Sequence, residues 1–255
     1  MDDEHLLRYS RQIMLPGVGM EGQECLQQAH AVIMGLGGLG SPVATYLAAA
    51  GVGRLTLVDF DQVEVTNLQR QPLHGDADIG RDKVASAADR LAAINPDCEI
   101  TTRAERLDPA DMQTLFATAR VILDGTDNFA SREQISQAAH AVGTPLVSGA
   151  VIRFEGQLTT FDYRDPEAAC YHCLYGAGGG DEDTCAANGV LASLPGVVGS
   201  LQATEALKLL MGMPTLSGRL LMIDGMTMQF REIRLRRDPE CPVCGTPAPD
   251  RPGDA

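Results

Sequence analysis

The sequence predicts an α/β protein with a Rossmann-like doubly wound sheet, parallel in its N-terminal half and extended by antiparallel strands. Short apolar segments alternate with amphipathic segments of helical length as far as residue 142, a pattern typical of repeated βαβ units. A glycine turn, Gly35-Leu-Gly-Gly-Leu-Gly40, follows the first of these strands and opens a helix. From Pro145 onward, strand-like segments joined by short turns indicate hairpins.

The elements of the parallel half follow from apolar spacing and from helix-breaking residues. Residues 6–30 have helical spacing, interrupted by Pro-Gly-Val-Gly at 16–19. In one later helix, Val84 and Leu91 share an apolar face, and Pro96 stops it. The predicted strands are Ala31–Met34, Leu55–Val58, Glu99–Thr102 and Val121–Leu123, and the predicted helices are Pro42–Ala50, Asp82–Ile94, Ala110–Ala119 and Ser131–Val142.

The C-terminal half continues the same domain. A glycine-containing turn joins two strands into a hairpin, and the glycine-rich acidic segment 176–183 is expected to be a mobile loop. We expect a single domain over residues 1–246, because no linker interrupts it, and a disordered tail at 247–255. The elements predicted here are strands Leu146–Val151, Gln157–Phe161, Leu220–Ile223 and Gln229–Leu235, and the helix Val197–Met211.

The composition excludes several classes of protein. The chain has 255 residues, 44% of them hydrophobic, and a formal net charge of −14. Such a charge argues against nonspecific binding to nucleic acids or to acidic membrane surfaces. The acidic N-terminus does not resemble a signal peptide, and no apolar run approaches the roughly 18–20 residues of a membrane span. We therefore expect a cytoplasmic protein, whose seven cysteines are thiols or metal ligands rather than disulfides.

The glycine turn predicts a nucleotide site. Its glycines, Gly35, Gly37, Gly38 and Gly40, place backbone N–H groups at a helix N-terminus, where phosphates bind. Asp59 ends the next strand, a position from which an acid accepts the ribose hydroxyls of a nucleotide. The pattern alone leaves two alternatives, an NAD dehydrogenase and, for Asp59, an ordinary turn residue.

Polar residues after Asp59 point to a polyphosphate. Asn67 and Arg70 follow closely enough for the chain to fold back over the phosphates, which suit the fork of an arginine. Asp82 is a natural helix cap and places Lys83 in the first turn, where the helix dipole disfavours a cation by roughly 0.3–1 kcal/mol. Such a residue is a candidate for ligand contact. Both cations have the alternative of being ordinary surface charges.

A polar segment, Asp124-Gly-Thr-Asp-Asn128, follows the fourth predicted strand at the same edge of the sheet. Carboxylates beside a polyphosphate suit Mg²⁺, which takes one or two of them together with phosphate oxygens. We assign the metal to Asp127 and nucleotide contact to Asn128. Helix capping by Asp127 or Asn128 is the alternative, because both residue types are favoured at helix N-termini.

The cysteines divide into two Cys-x-x-Cys pairs and three single residues. Cys170, Cys173, Cys241 and Cys244 supply four thiolates, the tetrahedral set that structural zinc prefers, with redox dithiols as the alternative. Cys185 follows the glycine-rich loop and is a possible nucleophile. Its acidic neighbours raise its pKa and weaken that role.

Together these motifs resemble the ubiquitin-activating-like adenylyltransferases of bacterial sulfur-carrier pathways, and the resemblance covers nearly the whole chain. Within that family it is greatest to the branch that serves molybdopterin synthase, partly through residues 148–156, with the thiamine-pathway branch close behind. The segments that carry it are Arg8-Tyr-Ser-Arg-Gln-Ile13, the glycine turn, residues 59–71, Gly80-Arg-Asp-Lys83, Asn95-Pro96, residues 124–128, both cysteine pairs and residues 199–205.

The resemblance implies an activity. The family uses ATP to adenylate the C-terminal glycine carboxylate of a small β-grasp sulfur carrier that ends in Gly-Gly, and pyrophosphate is released. Here the carrier would be the small subunit of molybdopterin synthase, in molybdenum cofactor biosynthesis, or the thiamine-pathway carrier. Arg70 and Lys83 would neutralise the phosphates, Asn67 would orient a phosphate oxygen and Asp127 would hold Mg²⁺.

The resemblance also implies partners. It predicts a homodimer in which Arg11 of one subunit reaches the ATP of the other. Since the sequence stops soon after the second cysteine pair, we expect a separate protein to donate the sulfur. The competing classes are an NAD-dependent oxidoreductase and a catalytically silent, zinc-stapled scaffold. A relative that acts on tRNA is disfavoured by the acidic balance.

Overall fold

The computed structural model describes residues 1–176 and 188–245, in which eight strands form one continuous sheet. Their spatial order is β3-β2-β1-β4-β5-β6-β7-β8. The first five are mutually parallel, and β6 to β8 continue the sheet in antiparallel pairs. The predicted fold class is confirmed. The strands are β1 His30–Met34, β2 Arg54–Val58, β3 Glu99–Arg103, β4 Val121–Asp124, β5 Leu146–Ile152, β6 Glu155–Phe161, β7 Arg219–Asp224 and β8 Gln229–Arg234.

Helices cover both faces of the parallel half. No helix in the described part of the chain combines the length and the apolar character that crossing a bilayer requires. The helices are α1 Asp3–Arg8, α2 Ser10–Ile13, α3 Gly19–Gln27, α4 Gly40–Ala49, α5 Lys83–Ile94, α6 Pro109–Phe116, α7 Phe129–Val142, α8 Tyr171–Tyr175 and α9 Ser193–Leu210, with 3₁₀ turns at Val65–Asn67 and Asp76–Asp78.

The core lies in two layers, one on each face of the sheet. Every residue of β1 is buried, and its side chains alternate between the layers. Ile33 packs with the residues of α4, α5 and α9, whereas Val32 packs with those of α6 and α7. A strand buried on both faces needs an uninterrupted apolar run, which explains the sequence of this segment.

The strand order reverses between β1 and β4, so the loops that leave these strands diverge at the carboxyl edge of the sheet. Open α/β sheets bind ligands in the crevice at such a switch point. The two loops meet backbone to backbone. A Cβ on Gly35 would lie 3.0 Å from the carbonyl of Gly125, and one on Gly40 would lie 1.9 Å from the oxygen of Gly35. A side chain on Gly35 would therefore force the two loops apart, and one on Gly40 would disrupt the glycine turn itself.

Helix α9 contacts both the parallel and the antiparallel half of the sheet. The contacts come from residues 199–205, one of the segments on which the family resemblance rests. The Gln202 Nε2 donates to the carbonyl of Asp124 at 2.8 Å. The Glu205 carboxylate accepts from the Thr160 hydroxyl at 3.1 Å and from the Leu216 N–H at 2.6 Å. These buried polar side chains thus have a structural role.

Most element boundaries agree with the sequence predictions within two residues, and the differences have local causes. The predicted helical segment 6–30 is three helices, and its last residue, His30, belongs to β1. Helix α9 begins at Ser193, four residues before the predicted start, because Pro195 lies in the first turn, where its missing N–H costs nothing. The five-residue helix α8 was not predicted.

We expect Gly199→Ala to destabilise the protein. A Cβ at this position of α9 would lie 2.5 Å from both the Leu39 carbonyl oxygen and the Pro42 Cγ. Neither group is a flexible side-chain end, so the overpacking should cost about 1–3 kcal/mol of unfolding free energy in urea titrations. Gly196→Ala is the matched control, because nothing lies within 4 Å of a Cβ there. Equal stability of the two variants would contradict the close packing.

Candidate active site

A cavity of about 620 Å³ opens at the carboxyl ends of the parallel strands, between the loops that follow β1, β2 and β4. Its size and place are typical of small-molecule sites in α/β proteins. Most of the predicted nucleotide-site residues line it, namely Gly35, Gly37, Gly38, Asp59, Asn67, Arg70, Lys83, Asp127 and Asn128. Gly40 and Arg11 are absent from the lining.

Side chains from other segments contact both backbone polar groups of Leu36 and so hold the glycine turn in place. The Asp59 carboxylate accepts from the Leu36 N–H at 2.7 Å, and the His74 Nε2 lies 3.2 Å from the Leu36 carbonyl oxygen. Burial raises the pKa of Asp59 above its ordinary value, and the nearby Lys83 opposes this shift. Asp59 therefore supports the turn and also lines the cavity. Gly40 begins α4, and the close approach of the Gly35 carbonyl oxygen leaves no room for a side chain there.

Lys83 is buried beside the cavity, with 7% of its side chain exposed. Its Nζ lies 2.9 Å from the Asp61 carboxylate, and its N–H donates to the Asp61 carbonyl at 3.0 Å. Asp61 thus compensates for placing a cation in the first turn of α5. Asp82 occupies the N-cap position of this helix without a side-chain cap bond. The sequence analysis missed Asp61, although its position two residues after Asp59 is a usable signal.

Arg70 and Asn67 lie on the turn that borders the cavity. The Arg70 Nη1 donates to the Thr66 carbonyl at 3.0 Å, which leaves the other donors of its guanidinium available. The Asn67 Oδ1 accepts from the Glu64 N–H at 3.2 Å and closes the 3₁₀ turn. The next residue, Gln71, is buried in the lining, and its Oε1 has no hydrogen-bond partner within the described residues.

Asp124 and Asp127 have different roles, although only three positions separate them. Asp124 is fully buried, and its carboxylate accepts from the Thr126 N–H at 3.0 Å and from the Ser148 hydroxyl at 3.0 Å. Asn128 caps α7 by accepting from the Ser131 N–H at 2.9 Å. The capping alternative thus holds for Asn128, while Asp127 is exposed at the cavity.

Asp127 is the carboxylate best placed to take a cation. Asp59 accepts from two backbone N–H groups and Asp61 pairs with Lys83. The other lining carboxylates are engaged as well, since Glu64 caps a turn and Glu105 pairs with Arg103 at 3.1 Å. Asp127 has one weak contact, at 3.3 Å from the Asn128 Nδ2.

The described lining of the cavity also contains two arginines that the sequence analysis did not single out. Arg106 stacks over the ring of Phe60 at 4.4 Å from its centroid, in the part of the cavity next to β2 and β3. Arg132, on α7, is 8% exposed and donates to the Thr126 carbonyl. In the sequence both read as ordinary charged residues.

The four cysteines of the two pairs converge on one point outside this cavity. Their Sγ atoms all lie within 4.8 Å of one another, with Cys170 to Cys241 at 3.6 Å and Cys173 to Cys244 at 3.3 Å. A tetrahedral ion bound at about 2.3 Å from each sulfur needs separations of about 3.8 Å. The cluster can therefore hold a metal ion, as predicted, and it joins α8 to the C-terminal segment.

Four predicted features do not belong to the described lining of the cavity. Arg11 is exposed on α2 and away from the lining of its own chain. Cys185 lies outside the described residues, as do the tail 247–255 and all of the predicted mobile loop except Gly176. No described cysteine lines the cavity, and none of the five histidines does.

Comparisons with known proteins identify the fold and the family of this chain. A solved structure of MccB from E. coli has a TM-score of 0.82 and 22% identity, over 94% of this chain and 75% of that one, which shows the shared fold. The molybdopterin-synthase adenylyltransferase of Salmonella typhimurium is 52% identical, over 96% of this chain and 98% of its own. The ThiS adenylyltransferase of Escherichia coli is 44% identical, over 96% and 97%.

The family model described as the ThiF family matches residues 9–243, which is nearly all of the sequence. The named relatives are adenylyltransferases, so the predicted activity and the predicted resemblance are both confirmed. The chain therefore belongs to the ThiF family.

Proposed function

We propose that the chain uses ATP to adenylate the C-terminal glycine of the small subunit of molybdopterin synthase, a β-grasp sulfur carrier, and releases pyrophosphate. The observation that carries this proposal is the convergence of Arg70, Lys83 and Asp127 on one cavity beside the glycine turn. The higher identity to molybdopterin-synthase adenylyltransferases, 52% against 44% for the ThiS enzyme, favours this carrier over that of the thiamine pathway.

The chemistry needs electrostatic help rather than a base. A C-terminal carboxylate is ionised at neutral pH, and one of its oxygens attacks the α-phosphorus of ATP. As the new C–O–P linkage forms, the bond from the α-phosphorus to the bridging oxygen breaks, and pyrophosphate leaves with the electron pair. Both reactants are anions, so fixed cations supply much of the catalysis. Arg70 and Lys83 line the cavity and would supply these cations, and Asp59 would bind the ribose.

The donor set suits Mg²⁺, which prefers oxygen ligands and usually takes few of them from the protein. Asp127 would hold the ion, because it is the lining carboxylate without a strong partner in the described chain. When bound, the ion would withdraw charge from the phosphate oxygens and orient them. A nicotinamide enzyme would need an acid or base for hydride transfer, and no histidine lies in the cavity lining.

We further propose that the cysteine cluster binds zinc. The four cysteine sulfurs all lie within 4.8 Å of one another, and sulfurs of different pairs are as close as 3.3 and 3.6 Å, which matches the tetrahedral set for this metal better than two independent redox pairs. The ion would fasten the C-terminal segment to α8. Its role would be structural, because four protein ligands leave no position open for a substrate.

We also propose that the protein acts as a homodimer, in the cytoplasm, with a separate protein as sulfur donor. Arg11 is exposed and does not line the cavity of its own chain, as expected of a residue that serves a second copy. The need for a separate donor agrees with the absence of cysteines from the described lining of the cavity. The cytoplasm keeps thiols such as those of the cluster reduced.

Incubation of the protein with ATP and the small subunit of molybdopterin synthase should adenylate the C-terminus of that subunit, which mass spectrometry detects.

Asp127→Asn should lower carrier-dependent pyrophosphate exchange about a hundredfold or more, because loss of the ion removes about 3 kcal/mol of stabilisation. Asp76→Asn, at an exposed aspartate outside the lining, is the control. Full exchange by the Asp127 variant would refute the metal assignment, and adenylation of the thiamine carrier alone would refute the choice of substrate.

The shared site predicts complementation between inactive variants. In a mixed dimer of Arg11→Ala and Lys83→Ala chains, one site is complete if Arg11 acts on the partner's cavity. Random mixing makes half of the dimers mixed, so we expect about a quarter of wild-type exchange activity. Each variant alone is expected to be inactive. Activity that stays at background after co-expression of the two chains would show that Arg11 acts within its own subunit, and full activity of the Arg11→Ala protein alone would show that Arg11 is not needed.

Removal of a cluster ligand should release the metal and lower the melting temperature. We expect Cys173→Ser to reduce bound zinc from about one ion per chain to a small fraction, because three remaining thiolates bind less tightly. Cys25→Ser is the control, since Cys25 lies outside the cluster. Elemental analysis and thermal unfolding measure the two effects. Unchanged metal content and melting in the Cys173 variant would contradict the proposal.

A further inference from the structure

The loop that carries Asp127 is fixed at the residue before it. The Thr126 N–H and hydroxyl both donate to the Asp124 carboxylate, at 3.0 and 2.7 Å. On its other side, the Thr126 carbonyl accepts from the Arg132 Nη2 at 2.9 Å. The buried Asp124 therefore binds the N–H side of Thr126, and the buried Arg132 binds its carbonyl. Together they set the direction in which the backbone continues into Asp127.

Arg132 is an unusual residue for a purely structural role. It is 8% exposed, and its Nε has no hydrogen-bond partner within the described chain. Leaving a buried donor of a charged group unpaired costs free energy, which a packed apolar side chain at this position would avoid. The Asp124 carboxylate, which interacts electrostatically with Arg132, accepts hydrogen bonds from Thr126 rather than from the guanidinium. Burial raises the pKa of Asp124, and the charge of Arg132 opposes that shift.

The surroundings of Arg132 fix the direction of its side chain. Its guanidinium lies 6.0 Å from the centroid of the Phe129 ring on the same helix. Behind it is Tyr171 of α8, whose buried hydroxyl also has no partner in the described chain. Burial raises the pKa of Tyr171, and Arg132 is the strongest opposing influence. A lysine at position 132 would keep the charge and lose the planar fork that reaches the Thr126 carbonyl.

We propose that Arg132 is a positioning residue for the divalent-cation site, because it holds the Thr126 carbonyl and so directs the Asp127 carboxylate into the cavity. This inference rests on the proposed function, in which Asp127 takes the cation. Groups that orient metal ligands typically change metal affinity or activity by about 10–100-fold when they are removed. The proposed role of Arg132 involves no contact with the phosphates or the carrier. Arg70 and Lys83 would bind the nucleotide itself.

Direct binding of Mn²⁺ tests the proposal. Each protein is saturated with α,β-methylene ATP, and free Mn²⁺ is followed by electron paramagnetic resonance. We expect Arg132→Lys and Arg132→Gln to raise the Mn²⁺ dissociation constant about tenfold or more. The affinity for the nucleotide without a divalent cation should change less than about threefold. In carrier-dependent exchange, the Mg²⁺ concentration for half-maximal rate should rise in parallel.

Arg120→Gln is the matched control, because Arg120 is exposed just before β4, at the end of that strand away from the cavity. A lower melting temperature with an unchanged Mn²⁺ constant in Arg132→Lys would show a merely structural role and overturn the inference. The lysine variant keeps the charge, so its Mn²⁺ constant decides the question even where Arg132→Gln does not fold. Absence of adenylation by the wild-type protein would instead refute the proposed function.

Discussion

The direct contact between the loops after β1 and β4 is the constraint on which the site depends. The Gly35 carbonyl lies against the backbone of Gly40 and Gly125, at distances that leave no room for a side chain on any of the three. This contact closes the gap at the switch point of the sheet and brings the glycine turn beside the segment that carries Asp127. The glycines are therefore needed as much for packing one loop on the other as for an approach to phosphate.

The same pair of backbone contacts fixes the loop after β1 and the loop after β4. At Leu36 and at Thr126, a buried aspartate accepts from the N–H, and a buried basic side chain contacts the carbonyl oxygen. Asp59 directly follows β2 and Asp124 is the last residue of β4, so the rigid sheet sets the positions of both loops. Asp127, proposed to hold the cation, lies one residue beyond the second of these fixed points and is exposed at the cavity. Reactive groups mounted on supported backbone keep their geometry without being buried themselves.

The sequence predicted the strands and the order of the site motifs well, because buried parallel strands need continuous apolar runs and glycine turns need particular residues. From residue type and spacing it also predicted that the four cysteines form one cluster. It did not reveal the partners of the charged groups. Asp61 beside Lys83 and Arg132 behind Thr126 depend on which elements become neighbours in space, and no local pattern contains that information. For the same reason the helix-cap preferences could not decide between Asp127 and Asn128 until α7 was positioned.

The charges that line the cavity favour a triphosphate only weakly within one chain. Among the described residues, the lining contains four cationic and five anionic side chains, which are Arg70, Lys83, Arg106 and Arg132 against Asp59, Asp61, Glu64, Glu105 and Asp127. Lys83 is already paired with Asp61, and the whole molecule carries a formal charge of −14. Backbone N–H groups offset part of the negative charge of a bound nucleotide. The remainder has to come from outside the chain, and the two proposed sources are a divalent cation on Asp127 and an arginine from a second copy. Tight binding of ATP would then require dimer and cation together, which couples assembly of the enzyme to formation of its active site.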